Sequence, residues 1–139
     1  MIEFSLVSSK ATYVNLMEAN DIAEDDFSVR FLTAFSQEQN HQFHVKFDVT
    51  VASTRGYSLH IEFIAYFETT EPMTEEFKQS HLPTVNATAI AYPYLRSMIS
   101  SITLNAGYAP IILPTVNFQA VIREQQQAKK LSEQNLVAH

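Results

Sequence analysis

Apolar residues recur at every second position through much of the first half of the chain. Phe27, Val29, Phe31, Thr33 and Phe35 alternate with Ser28, Arg30, Leu32, Ala34 and Ser36. Phe43, Val45, Phe47, Val49 and Val51 do the same against His44, Lys46, Asp48, Thr50 and Ala52. Tyr57, Leu59, Ile61, Phe63, Ala65 and Phe67 form a third run, with His60, Glu62 and Glu68 on the other face. Successive side chains of a strand point to opposite faces, so each run predicts a strand with one apolar side. Gln39-Asn40 and Arg55-Gly56 stand where hairpin turns are needed. Upstream, Ile2, Phe4 and Leu6 open an alternation and Tyr13 to Met17 carry another, which predicts one long strand with a bulge near residues 8–10. Glu18, Asp21, Glu24, Asp25 and Asp26 follow with no basic residue among them, a self-repelling stretch that reads as a solvated loop.

In the second half the period lengthens. Over residues 87–106 the apolar positions Ala91, Leu95, Met98 and Ile102, widened by Ile99 and Ala106, predict a helix with one buried stripe. Asn86 is placed to cap its start and Gly107 to end it, while Pro93 kinks the helix or marks its true beginning. Thr74 caps a short helix to about Ser80, with Glu75 and Glu76 in its first turn. Asn117 caps a last helix that gives Phe118, Val121 and Ile122 to the core. Residues 124–130 offer no apolar face, so that end is expected to be solvated and frayed. Four strands before all the helices imply a single α+β domain over residues 1–139: a four-stranded antiparallel sheet with helices packed on one face and the other face open.

The stretch after Gly107 is apolar and irregular at once. Tyr108, Ile111, Ile112, Leu113, Val116 and Phe118 are interrupted by Pro110 and Pro114, which forbid both a helix and a central strand. These side chains either fold back on the core or wall a groove for an apolar guest. Here the chain resembles a known family. Tyr92-Pro93-Tyr94-Leu95-Arg96, then Ser101-Ile102-Thr103, Ala106-Gly107-Tyr108-Ala109-Pro110 and Leu113-Pro114-Thr115-Val116-Asn117-Phe118 are similar to the signature of the SecB protein-export chaperones, a likeness covering residues 83–122.

The resemblance implies an ATP-independent holdase that keeps preproteins unfolded and hands them to the SecA motor. It implies a homotetramer built as a dimer of dimers, in which small residues at Ser97, Ser100, Ser101 and Ala106 permit close approach of a partner helix. Clients would lie in grooves between the loop after the first strand and the loop joining the helices, lined by Tyr108, Ile111, Ile112, Leu113 and Val116 and floored by Tyr92 and Tyr94. Asp48 and Glu62 would form the acidic sheet surface that SecA recognises, although Arg30 and Lys46 dilute the field there. The alternative within the same likeness is a SecB-like chaperone of a toxin-antitoxin system, protecting a labile antitoxin.

Composition narrows the remaining choices. A chain of 139 residues can bury a core without metal or disulfide staples, and it has no cysteine for thiol chemistry. A net charge of −6 with nine scattered basic residues argues against nucleic acid. No signal peptide and no apolar run of about 20 residues is visible, which predicts a soluble, cytoplasmic chain without membrane insertion. His41 and His44 are three apart and no carboxylate stands at ligand spacing to complete a site with either, so neither metal nor cofactor is expected. His60 and Glu62 share a strand face and read as a solvated ion pair rather than an acid-base pair. A hot-dog thioesterase would place its long helix between strands, and a pure scaffold would leave the proline loop unused; the residues point to a binder, not an enzyme.

Overall fold

The structure, a computed structural model, describes residues 1–137. Its sheet has four antiparallel strands, β1 (Phe4–Glu18), β2 (Asp26–Phe35), β3 (Gln42–Ser53) and β4 (Tyr57–Thr69), in the order β1-β4-β3-β2. Three helices follow, α1 (Glu75–Gln79), α2 (Ala87–Asn105) and α3 (Phe118–Val137), with a π-helical turn at Leu82–Asn86 leading into α2. The α+β reading and the three clean strand runs are as the alternation predicts.

Burial follows the two-residue period. Phe43, Val45, Phe47, Val49 and Val51 on β3 and Tyr57, Leu59, Ile61, Phe63, Ala65 and Phe67 on β4 are all buried. These two strands occupy the centre of the sheet, where the helices cover them. The corresponding positions of β2 are only half-buried, and Phe27 is exposed, because β2 is an edge. Phe43 stacks on Phe67 at 5.1 Å, with Phe4 and Phe77 edge-on to it.

In β1 the irregularity falls on either side of the expected position. The register against β4 slips between Leu6 and Ser8 and again between Ala11 and Tyr13. Val7 and Thr12 are the extra residues. Each returns the strand to phase, so Leu6, Ala11, Val14 and Leu16 oppose inner-face residues of β4 while Ser8, Tyr13 and Met17 oppose outer-face ones.

Around α2 the capping differs from expectation at one end. Asn86 makes no side-chain capping bond, because the chain is already helical from Leu82, with Pro83 supplying the fixed φ that suits a first turn. Gly107 does end the helix, at φ +98°. The Tyr108 and Gly107 amides donate to the Thr103 and Leu104 carbonyls at 3.0 and 3.1 Å, the paired bonds of a left-handed glycine cap. Pro93 lies inside the helix rather than at its start, on the exposed side, where water can serve the carbonyl of Ala89 that it leaves without a donor. The buried stripe runs through Thr88, Ala91, Tyr92, Leu95, Ile99 and Thr103; Met98 and Ile102 flank it half-buried. Thr88 and Thr103 are admitted because their hydroxyls donate to the Thr84 and Ile99 carbonyls at 2.6 and 2.9 Å.

Thr74 caps α1 through the Phe77 amide, and Asn117 Oδ1 accepts from the Ala120 amide at the head of α3. Phe118 meets Tyr92 and Phe31 edge-on, at 5.2 and 5.0 Å, tying α3 to both α2 and β2. Residues 123–131 are exposed, and α3 runs to Val137.

Replacing Phe43 by Ala removes the centre of the aromatic cluster and should lower stability by about 3–5 kcal/mol, read as an earlier midpoint in urea. A loss below about 1 kcal/mol would show that the cluster collapses around the void.

Candidate functional site

The loop between α2 and α3, residues 106–117, is held by its own carbonyls. Two prolines leave it short of donors, so side chains reach in to the oxygens instead. Ser100 donates to the Ile111 carbonyl at 2.8 Å, Tyr92 to the Pro114 carbonyl at 2.8 Å, and Arg55 to the Pro110 carbonyl at 3.0 Å. The loop is thereby fixed at three points to α2 and to the β3–β4 turn.

This fixing sorts the side chains of the expected groove. Leu113, at 1% exposed, and Tyr92, at 4%, belong to the core of the protomer. Ile112, the neighbour of Leu113, faces the other way and is 78% exposed. Tyr94 is likewise exposed, two residues along α2 from buried Tyr92. Tyr108, Ile111 and Val116 are half-buried between these extremes. Burial pushes the Tyr92 phenol above its ordinary pKa, against the opposing pull of Arg96. A shallow cleft of about 170 Å³ runs along α2, lined by Pro93, Arg96, Ser97 and Ser100 on the helix and by Ile112 and Leu113 on the loop.

Strand order brings a second loop to the same end of the sheet. β1 and β2 lie on opposite edges, so residues 19–25 must cross the ends of β3 and β4. Three strand spacings are about 14 Å, within reach of a stretched chain of that length. The crossing is pinned to the β3–β4 turn: the Ala19 amide donates to the Gly56 carbonyl at 2.9 Å, and Thr54 donates through its amide and hydroxyl to Asp25 Oδ1 at 2.7 and 2.9 Å. Those two bonds hold the Asp25 carboxyl below its ordinary pKa, the amide bond contributing most. On the other side of the turn Tyr57 packs against Tyr108 at 4.8 Å. The turn residues 54–57 therefore touch both loops that the expected groove lies between. Sequence reasoning read Arg55 only as a turn residue and missed this role, together with Asp25 and Tyr57.

On the open sheet face Asp48 and Glu62 are register partners across β3 and β4. Asp48 is half-buried and shared: His60 Nε2 lies 2.8 Å from Oδ1, and Arg30 Nη2 lies 3.9 Å from Oδ2. The partner of His60 is thus Asp48, its diagonal neighbour on β3, and not Glu62, since the diagonal remains within reach of a long side chain. Glu62 is exposed and forms no ion pair among the described residues. His44, on the same face, is held below its ordinary pKa by partial burial and then by Lys46.

The family model described as preprotein translocase subunit SecB matches residues 5–129. An uncharacterized protein of Methanocaldococcus jannaschii is 25% identical over 122 residues, covering 80% of this chain and 77% of its own. The protein-export protein SecB of Magnetococcus marinus is 28% identical over 107 residues, 75% of this chain and 67% of its own. That of Methylibium petroleiphilum matches a shorter stretch at higher identity, 51% over 39 residues, which is 28% of this chain and 24% of its own. Among solved structures, a SecB-like chaperone of Mycobacterium tuberculosis, in complex with a peptide from an antitoxin, superposes with a TM-score of 0.63 at 14% identity, covering 81% of this chain and 87% of that one. A protein of unknown function from Streptococcus agalactiae superposes at 0.53 with 10% identity, covering 83% and 99%. No helix among the described residues is long and apolar enough to cross a membrane.

Neighbouring residues of the proline loop should behave oppositely on charging. Ile112→Asp should leave the stability measured by urea unfolding within about 0.5 kcal/mol of the native protein, as at an exposed site, whereas Leu113→Asp buries an unpaired carboxylate and should cost about 3 kcal/mol or more. Equal losses would mean that Ile112 is also part of the core.

Proposed function

Since the chain belongs to the SecB family, we propose that it is an ATP-independent holdase that binds unfolded preproteins and delivers them to the SecA motor. The observation that carries this is the pair of apolar side chains held outward on a fixed support: Ile112, on a loop tied at three carbonyls, and Tyr94 on α2. Tyr108, Ile111 and Val116, half-buried against the core on the same loop, are the further apolar side chains that this proposal gives to the client. Each apolar anchor that a client buries is worth roughly 1.5–3 kcal/mol, and ordering the client takes part of that back. Shallow anchors repeated in an oligomer give a strong hold with little sequence preference, so no nucleotide is required for capture.

The working form under this proposal is a cytoplasmic tetramer, a dimer of dimers. β1 supports the reading as a long edge strand with Val7 and Val14 exposed along it, the kind of edge that natural sheets cover. Ser97, Ser101 and Leu104, exposed on α2, leave a face for a second helix. Light scattering should give a mass four times 15.8 kDa. A monomer at micromolar concentration would remove this assembly.

A second reading is favoured by one comparison, the solved SecB-like chaperone that holds an antitoxin peptide. In that case the client is a labile antitoxin, and the groove serves it in the same way. The two readings part at the sheet face, where Asp48 and Glu62 supply the acidic surface for SecA.

Denatured, aggregation-prone proteins should be kept in solution by the native chain and not by Ile112→Asp, as read by light scattering on dilution from denaturant. Calorimetry with SecA should detect binding that weakens with salt and is lost in the Asp48→Lys, Glu62→Lys double variant, because an acidic patch acts mainly through screened, long-range attraction. Holding without any SecA binding would leave the antitoxin reading in place; failure of Ile112→Asp to affect holding would move the groove elsewhere.

A further inference from the structure

Asp48, His60 and Glu62 form a cluster that neither the apolar groove nor the core uses. One oxygen of each carboxylate and one imidazole nitrogen all lie within 4.8 Å of one another, on the same side of the two central strands. His60 is oriented from both sides, by Asp48 at 2.8 Å and by the Tyr13 ring, whose centroid is 5.0 Å away on β1. Arg30 approaches the far oxygen of Asp48 and leaves Oδ1 turned toward the histidine.

We propose that Asp48, His60 and Glu62 bind a divalent transition-metal ion of the zinc type. Bonds of about 2.0–2.2 Å require ligand atoms roughly 3.0–3.5 Å apart, a spacing within one side-chain rotation of the exposed glutamate. Imidazole combined with carboxylates suits zinc, cobalt or nickel, whereas magnesium and calcium favour all-oxygen shells. The set carries two negative charges when His60 is neutral, which the ion cancels. Asp48 and Glu62 line an open cleft of about 480 Å³ with Thr12, Arg30 and Lys46, so three protein ligands leave the remaining positions to water. Arg30 is the competing cation: it is largely exposed, and once the ion is bound it is free to move away or to stay on Oδ2 and orient the carboxylate from outside the ligand shell. Lys46 on β3 and Lys10 on β1, both opposite Ile64, bring further positive charge to the same face. An ion held here would also cancel the acidic character on which docking of SecA is proposed to rest, although the site itself does not depend on that reading.

The test is calorimetric titration of the full chain with zinc chloride, paired with the visible absorption of bound cobalt. One saturable site per chain is expected. His60→Gln and Asp48→Asn should each weaken it about tenfold or more, and Glu62→Gln should also weaken it. His44→Gln, which removes a histidine from the same face but outside the cluster, should leave the affinity unchanged. All four side chains are at least partly exposed, so the variants should keep the native circular dichroism. Absence of saturable binding, binding that survives His60→Gln, or an equal loss in His44→Gln would overturn the proposal.

Discussion

The central hairpin of β3 and β4 is the constraint from which the rest of the protomer follows. Its inner face is aromatic and branched aliphatic from end to end, and a sheet with such a face must be covered. The helices cover it, so their apolar sides are used up by the sheet and only their outer sides remain for partners. Its outer face carries charge and stays open. The turn that closes the hairpin is the fixed point over which the crossing loop passes and against which the proline loop is tied.

Much of the fold was legible because its information is local. A period of two, repeated in three runs, cannot place the same residues inside except as strands, and the glycine after residue 106 has one good reason to be there. Where sequence reading failed, a nonlocal or compensating effect was at work. The two bulges of β1 sit where an extra residue restores phase against β4, which is visible only once the partner strand is known. Thr88 and Thr103 look polar, yet each spends its hydroxyl on a helix carbonyl and presents a methyl group to the core. Asn86 looks like a cap, but the π-helical turn upstream had already started the helix.

The site divides along the same line. That the proline stretch would be special was evident from its composition, since apolar side chains and two prolines together fit neither helix nor strand. Which of its side chains face water was not, because that depends on three carbonyl contacts made from outside the loop, by Ser100 and Tyr92 on α2 and by Arg55, 55 residues away in sequence. Tyr92 illustrates the difficulty: as an aromatic beside Tyr94 it seemed equally available, but α2 turns the two to different sides, and its hydroxyl is spent on Pro114. The charge on the sheet face was legible residue by residue, whereas the sharing of Asp48 between His60 and Arg30 depends on strand register.

Under the proposed function, the tethering of the proline loop bears directly on how such a surface would hold an unfolded chain. An unfolded client already pays to be ordered, and a binding surface that also had to order itself would lose more of the small gain from each apolar contact. Prolines reduce the freedom of the free loop, and the contacts from Ser100, Tyr92 and Arg55 fix what remains. Ile112 is thus presented at little further entropic cost. The same fixing explains why an exposed isoleucine is tolerated: collapse onto the core is blocked by Leu113, which already fills the space beneath the loop.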